Sequence, residues 1–422
     1  MKLDRKQLVL FESQLRRNFE PLSLTRQTFD FLLGRRTIRE RIESDLGCKF
    51  SNLVVPEHLE VLCKERNPNC SVNSESSSCI AINSLVRPSF DLAREIELAL
   101  AENNGEFALV DHSGNVIFAA LDYFNPRQKV PLFQKVKKKI LPKQDRPSLL
   151  VYPWDLVSDN FEALNLDYDS FKAGKSISNK SDCEILGTRI SISGEVEIGR
   201  FTTLDSRGGP VMIDEGATIQ SFSHLTGPCY VGNSSIIKSA RIREGTSIGR
   251  ECRVGGEVEE TIIHDYSNKA HDGFLGHSVV GSWVNLGALT TNSDLKSTYG
   301  TIKVNLNGKS VDTRSIKVGC FVSDMSKTSI GCMIFSGKTI GVSSNVLGVV
   351  SKDVPSFTLH SSESSSPDRE LFPDSAIETQ RRMMERRKVE MSSAYKEMMK
   401  SVFKMTSKSR LSSGVRKGRF KL

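Results

Sequence analysis

The chain predicts an α/β domain followed by a parallel β-solenoid of the left-handed hexapeptide kind and a C-terminal helix. Three observations carry this. Aliphatic residues recur every six positions through the middle of the chain, strand-like and helix-like segments alternate before it, and a basic amphipathic stretch follows it. Neither a helix nor a simple strand repeats at six, so the period belongs to stacked coils.

The first element, residues 1–165, reads as an α/β domain. LVLF at Leu8 and NLVV at Asn52 are short buried strands, and the segments from Thr37 and Ser89 are helices. FALVDHSGNVIFAAL from Phe107 is a hairpin turning at Ser113 and Gly114. Alternating strands and helices favour an open, partly parallel sheet. No GxGxxG or GxxxxGK[ST] loop occurs, so backbone capture of a nucleotide phosphate is not advertised.

The second element, residues 184–350, holds the repeat. Ile213, Ile219, Leu225, Val231 and Ile237 are six apart, as are Ile242, Ile248 and Val254, and later Ile334, Ile340 and Val346. Small or turn-forming residues follow them, which suits flat faces joined by tight corners. An antiparallel β-sandwich with chance spacing is the alternative. Each coil buries its apolar row only against its neighbours, so several coils are needed and the ends need covers.

A serine-rich linker at 361–373 leads to an expected single helix over 374–405, and the basic run 406–422 is expected to be disordered. From Arg381 onward there are 14 basic residues against 3 acidic ones, so the net charge of +8 belongs to this tail and the rest of the chain is slightly acidic. That distribution excludes a nucleic-acid-binding reading of the body. The helix either caps the solenoid or meets a membrane surface or a partner. No apolar run is long enough for a membrane span or a signal h-region, which predicts a cytoplasmic protein. The nine cysteines are scattered without CxxC spacing and read as buried thiols.

The stretch Lys269 to Lys296, KAHDGFLGHSVVGSWVNLGALTTNSDLK, places two histidines and a polar run inside the rigid repeat. His264, His271 and His277 recur at seven and six residues, yet no carboxylate or cysteine cluster in the sequence completes a metal-ligand set, and no metal is assigned.

YSNKAHDGFLGHS, GSWVNLGALTTNSDLK, the N-terminal EPLSLTRQTFDFLLGRRTIRERI and the tail AIETQRRMMERRKVE together resemble the alternative GlmU-type sugar-1-phosphate nucleotidylyltransferase/acetyltransferases of bacteria and archaea, over nearly the whole chain. The resemblance implies a nucleotidyltransferase-like first domain and a homotrimeric transferase. Such an enzyme acetylates an amino-sugar 1-phosphate from acetyl-CoA and joins the sugar 1-phosphate to a nucleoside triphosphate with Mg2+. It implies His271 as the base that takes the proton of the attacking amine, a task suited to imidazole near neutrality. Asn285 matches a sugar contact, Ala288 a backbone contact to acetyl-CoA, and Arg243 an arginine near the sugar phosphate. Lys296 and Lys303 are further phosphate candidates by charge and position. Phe274 stands where relatives carry tyrosine, Asp294 where they carry asparagine and Leu289 where they carry glycine. Arg26, Arg35 and Arg36 are the candidate nucleotide-phosphate contacts, with a solvated basic face as the alternative. An acyltransferase without the first activity, and a non-catalytic trimeric scaffold, remain the competing functions.

Overall fold

The computed structural model describes residues 6–103, 105–127, 133–134, 136–142, 147–171, 183–362 and 367–418. They divide into two compact units. The first holds the chain to Arg17, Arg26–Phe31 and Arg36–Val151; the second holds Asn18–Thr25, Leu32–Arg35 and everything from Tyr152.

The first unit is a seven-stranded mixed sheet. Its strands are β1 (Gln7–Phe11), β2 (Asn52–Val54), β3 (Ser71–Val72), β4 (Ser76–Asn83), β5 (Phe107–Val110), β6 (Val116–Phe124) and β7 (Lys137–Ile140), ordered β3-β2-β1-β4-β6-β5-β7. Strand β1 runs parallel to both β2 and β4, and β5 and β6 form the antiparallel hairpin expected from the sequence. Helix α1 (Ile38–Leu46) starts on a capping box: Thr37 Oγ1 accepts from the Glu40 N–H, and the Glu40 carboxylate accepts from the Thr37 N–H. It stops at Gly47, whose φ of 65° suits a residue without a side chain. Helices α2 (Glu57–Arg66) and α3 (Leu92–Glu102) complete the layer.

The second unit is a parallel β-helix of the left-handed hexapeptide type. One of its flat faces stacks eight strands, and the register puts Ile192, Ile213, Val231, Ile248, Ile263, Val280, Val322 and Ile340 in a single column. Every member is buried, so the six-residue rhythm is the solenoid core seen edge on. A neighbouring face carries β8 (Ile236–Ile242), β9 (Arg253–Glu259) and β10 (Phe274–Gly276), and stacks Leu204, Leu225, Ile242, Val258 and Leu275. Between Val280 and Val322 the chain leaves the repeat to form an antiparallel hairpin, β11 (Lys303–Leu306) with β12 (Lys309–Asp312), which buries Val304 and Leu306 and exposes its lysines.

Four boundaries differ from expectation. Helix α4 (Pro153–Tyr168) groups with the solenoid and not with the α/β domain. Asn160, fully buried, explains this: its side chain donates to the Gly245 carbonyl at 2.7 Å and to Ser247 Oγ at 2.9 Å, and accepts from the Gly34 N–H at 2.7 Å. The coils continue beyond residue 350, because Thr358–Ser361 pairs with the coil strand Asn345–Leu347 and then with Arg369–Glu370; residues 363–366 of the linker lie outside the described residues. The single helix over 374–405 is two, α5 (Pro373–Glu385) and α6 (Ser393–Met405), broken where Lys388 has φ of 56° and restarted at the Ser392 cap. The tail is not disordered through residue 418. Helix α7 (Ser407–Ser412) buries Arg410, which donates to Glu370 at 2.7 Å and lies 4.1 Å over the Phe403 ring. Residues 419–422 lie outside the described residues.

Candidate active site

The coil strand Asn268–Lys269 leads directly into His271. In that strand the register sets Lys269 beside the fully buried Val254, in an inward column where an aliphatic side chain is the rule. Its side chain is only 3% exposed, and its ammonium donates to the Gly255 carbonyl at 2.9 Å and the His271 carbonyl at 3.0 Å. Burial pulls its pKa down to about 8. The result is a His271 backbone held from inside the solenoid and an imidazole facing outward. That ring is exposed and has no hydrogen-bond or ion-pair partner among the described residues.

One position back from the inward column, successive coils stack Arg253, Asn268, Asn285, Lys327 and Asn345 in register. Arg253, Asn268, Asn285 and Lys327 of this ladder form one side of a cleft of about 680 Å³ that also takes in His271 and Leu286–Ala288; α5 supplies Arg382 and, just past its end, Arg386 and Arg387. Its volume lies in the ordinary range of ligand pockets. Lys327 is largely buried, donates to the Met325 carbonyl at 2.8 Å, and is lowered to about 8 by desolvation. Arg387 donates to Asn268 Oδ1 at 2.8 Å, and Asn268 in turn donates to Asn285 Oδ1 at 3.4 Å. The Ala288 carbonyl is taken by the Gly331 N–H at 2.7 Å. His271, Asn285 and Ala288 are therefore brought together.

Arg243, Phe274 and Asp294 meet elsewhere, in a charged network around His277. The imidazole is 6% exposed; Nδ1 lies 2.8 Å from the Asp294 carboxylate, in a charge contact poorly aligned for a hydrogen bond, and Nε2 lies 3.5 Å from Glu260. Burial lowers its pKa, but the Asp294 and Glu260 carboxylates outweigh burial and raise it to about 9. Burial pushes the Asp294 carboxyl up, and the charge of His277 more than reverses this, so it ends below its ordinary value. Arg243 faces Glu259, Glu257 and Glu244 at 3.5 to 3.6 Å, and those carboxylates raise its pKa further. Gly276 closes the arrangement, since a Cβ there would meet the Phe274 ring at 2.4 Å and Asp294 at 2.9 Å.

Glu259, Glu260 and His277 bring three potential metal-ligand atoms within 4.8 Å of one another. Glu259 already pairs with Arg243 and Lys317, and Glu260 with His277, so the local charge is balanced without an ion. The other sequence candidates are dispersed. Lys296 donates to the Thr301 carbonyl beside the hairpin that carries Lys303, and neither lines the His271 cleft. In the second unit Arg35 has its backbone N–H on Asp167 and its guanidinium 5.2 Å over the Phe171 ring, a structural post. Arg26 and Arg36 belong to the first unit, where Arg26 is among the charges opposing the buried Asp30.

Sequence reasoning missed Arg253, Lys327 and the arginines at 382, 386 and 387. The ladder spacing hides them: it runs 15 residues from Arg253 to Asn268, 17 to Asn285, and 42 to Lys327 across the hairpin insertion.

Residues 8–176 match the protein family described as sugar nucleotidyl transferase. The bifunctional protein GlmU of Nitratidesulfovibrio vulgaris is 30% identical over 149 residues, covering 35% of this chain and 30% of that protein. The bifunctional sugar-1-phosphate nucleotidylyltransferase/acetyltransferase of Sulfurisphaera tokodaii is 32% identical over 151 residues, covering 35% of this chain and 38% of that protein. The matches thus span about a third of the length of these curated relatives. Among solved structures, an Arabidopsis UDP-N-acetylglucosamine acyltransferase shares 16% identity over 50% of this chain and 77% of its own, with a TM-score of 0.25. No helix among the described residues is long and apolar enough to cross a membrane.

Proposed function

We propose that this protein, whose residues 8–176 match the sugar nucleotidyl transferase family, is a transferase of nucleotide-sugar synthesis. It moves an acetyl group from acetyl-CoA to an amino-sugar 1-phosphate at the solenoid, and a nucleotidyl group to the sugar 1-phosphate at the first unit. The observation that carries the acyl half is the unpartnered imidazole of His271, clamped by its backbone at the edge of a ligand-sized cleft. A neutral imidazole there takes the proton as the amine attacks the thioester carbonyl. Asn285 orients the acceptor and the Ala288 backbone borders the acyl donor.

For the nucleotidyl half, strand order reverses between β1 and β4, and ligands bind open α/β sheets at such a switch beyond the carboxyl ends of the strands. Glu12 follows β1 there; it accepts from Thr28 Oγ1 at 2.8 Å and pairs with Arg16 at 3.2 Å, and Thr28 in turn meets Ser84 at 2.7 Å. No trio of metal-ligating side chains converges in that unit among the described residues, so Mg2+ would arrive on the triphosphate and keep most of its ligands from phosphate and water. The protein is proposed to work in the cytoplasm as a homotrimer whose acyl pocket is shared between neighbours.

A second acceptor chemistry is favoured by one observation. Glu257, Glu259, Glu260 and Asp294 crowd the locus of Phe274 and Arg243 and already engage Arg243, Lys317 and His277 in ion pairs, which leaves those cations less free to hold a phosphate there. An acyltransferase for an unphosphorylated amine fits it.

The test is purified protein with acetyl-CoA, glucosamine 1-phosphate, free glucosamine and a panel of nucleoside triphosphates, read by mass for acetylated sugar and pyrophosphate. His271→Ala is expected to lower kcat for acetyl transfer by about 10²- to 10⁴-fold with trimer mass and Tm unchanged. Parent-rate acetylation by that variant would remove the base assignment.

A further inference from the structure

Two lysines of the solenoid are desolvated, and they differ in what they face. Lys269 points inward, is 3% exposed and gives its ammonium to two backbone carbonyls, and it takes no part in lining the cleft. Lys327 stands on the ladder between Asn285 and Asn345 and opens on the cleft at whose edge His271 sits. Its hydrogen-bond acceptor among the described residues is the Met325 carbonyl at 2.8 Å. The charged and titratable groups that share the cleft with it are Arg253, His271, Arg382, Arg386 and Arg387, and no carboxylate lines it to hold an ammonium in place. Desolvation keeps the Lys327 pKa at about 8, so about a tenth of these side chains are free amine at pH 7. A desolvated, uncharged lysine is a nucleophile and a natural target of acylation.

We propose that Lys327 is a self-acetylation site: when no amine acceptor is present, its side chain takes the acetyl group of the thioester brought to His271. The identity of the donor rests on the acetyl-transfer reading above; the reactivity of the lysine does not. The step balances without a further reagent. The Nζ–C bond forms as the thioester C–S bond breaks, the coenzyme leaves as a thiolate, and the proton given up by the amine returns it to the thiol. The product is a neutral amide, bulkier than the ammonium it replaces and no longer a cation among the arginines of the cleft. Acetyl-CoA that accumulates without acceptor thereby slows the enzyme that consumes it. Lys269 is spared, because its amine is closed inside the coil.

Peptide mass spectrometry of the wild-type full chain tests this after incubation with acetyl-CoA, without acceptor, between about pH 7 and 9. Lys327 is expected to take up acetyl at least about tenfold faster than the exposed Lys396, at a rate that climbs through pH 8 and levels off above it, because only the neutral amine reacts. Lys269 should stay unmodified. Acetyl phosphate carries the same acetyl group without the coenzyme, and with it the preference for Lys327 over Lys396 should fall severalfold; an unchanged preference marks a merely reactive lysine and overturns the donor-directed step. Acetyl transfer to an amino sugar is expected to fall as Lys327 occupancy rises, and Lys327→Arg, which keeps the charge but takes up no acetyl, should lose no activity during the same incubation. Full activity at high occupancy overturns the self-limiting role. Acetylation of exposed lysines with Lys327 untouched overturns the site, and does so with the acetyl-transfer reading intact if amino sugar is still acetylated. Lys327 labelled from acetyl-CoA by a protein that acetylates no sugar supports the site and removes that reading instead.

Discussion

Lys269 is the residue whose chemistry is most at odds with its position. An ammonium in an aliphatic column survives because two carbonyls accept from it, but the charged form remains disfavoured. Its folded-state pKa of about 8 lies below the ordinary 10.5, so between those values the unfolded chain binds more protons and stability rises with pH. Lys269→Met is expected to stabilise the fold at pH 7 by about 1–3 kcal/mol and to flatten that rise, measured by urea unfolding across the window. The same substitution loosens the His271 backbone, so kcat should fall while Tm climbs. His277 behaves oppositely. Its folded-state pKa, raised from 6.5 to about 9, contributes stability that is complete below pH 6.5 and lost by about pH 9. Asp294→Asn should cost about 1–3 kcal/mol at pH 6 and much less at pH 9.5, again by urea unfolding. None of this could be read from KAHDGFLGHS alone: the motif announces the two histidines, but whether an imidazole faces a cleft or a carboxylate depends on which coil stacks above it.

At the scale of elements, legibility followed the reach of the signal. The strands and helices of the first unit and the aliphatic columns were written in local periodicity, and the coil faces follow it. Helix α4 was placed with the wrong partner because its contacts are long-range: Asn160 bonds to Gly245 and Ser247, more than eighty residues away, and Leu164 packs with Met212 and Tyr230. Asn160→Ala is expected to lower stability by about 2–4 kcal/mol, since it strips three groups on two segments of their partner. Differential scanning calorimetry checks this, and a wild-type Tm would refute the anchoring role. The break between α5 and α6 escaped the sequence because the apolar stripe runs through it. Only the Ser392 cap and the left-handed Lys388 mark it. That break matters to the cleft, for it releases Arg386 and Arg387 from the α5 spiral at the point where they reach the ladder.

At the scale of the molecule, the two proposed activities should be separable by their requirements. Chelation with EDTA is expected to abolish nucleotidyl transfer and leave acetyl transfer within about twofold, with added Mg2+ restoring the former. Loss of both would tie the metal to the solenoid instead. Light scattering at micromolar concentration should return the mass of three chains, and a monomer would dismiss the shared pocket. The interleaved division of the chain bears on how it comes into being. The Gly34 amide leaves the ribosome early, yet its acceptor on Asn160 and the coil carbonyl that fixes Asn160 are translated well over a hundred and two hundred residues later, respectively. Synthesis is therefore a period of waiting for residues 18–25 and 32–35. Folding cannot simply run from N-terminus to C-terminus, and premature release of a short nascent chain strands those segments without the surface they are built to join.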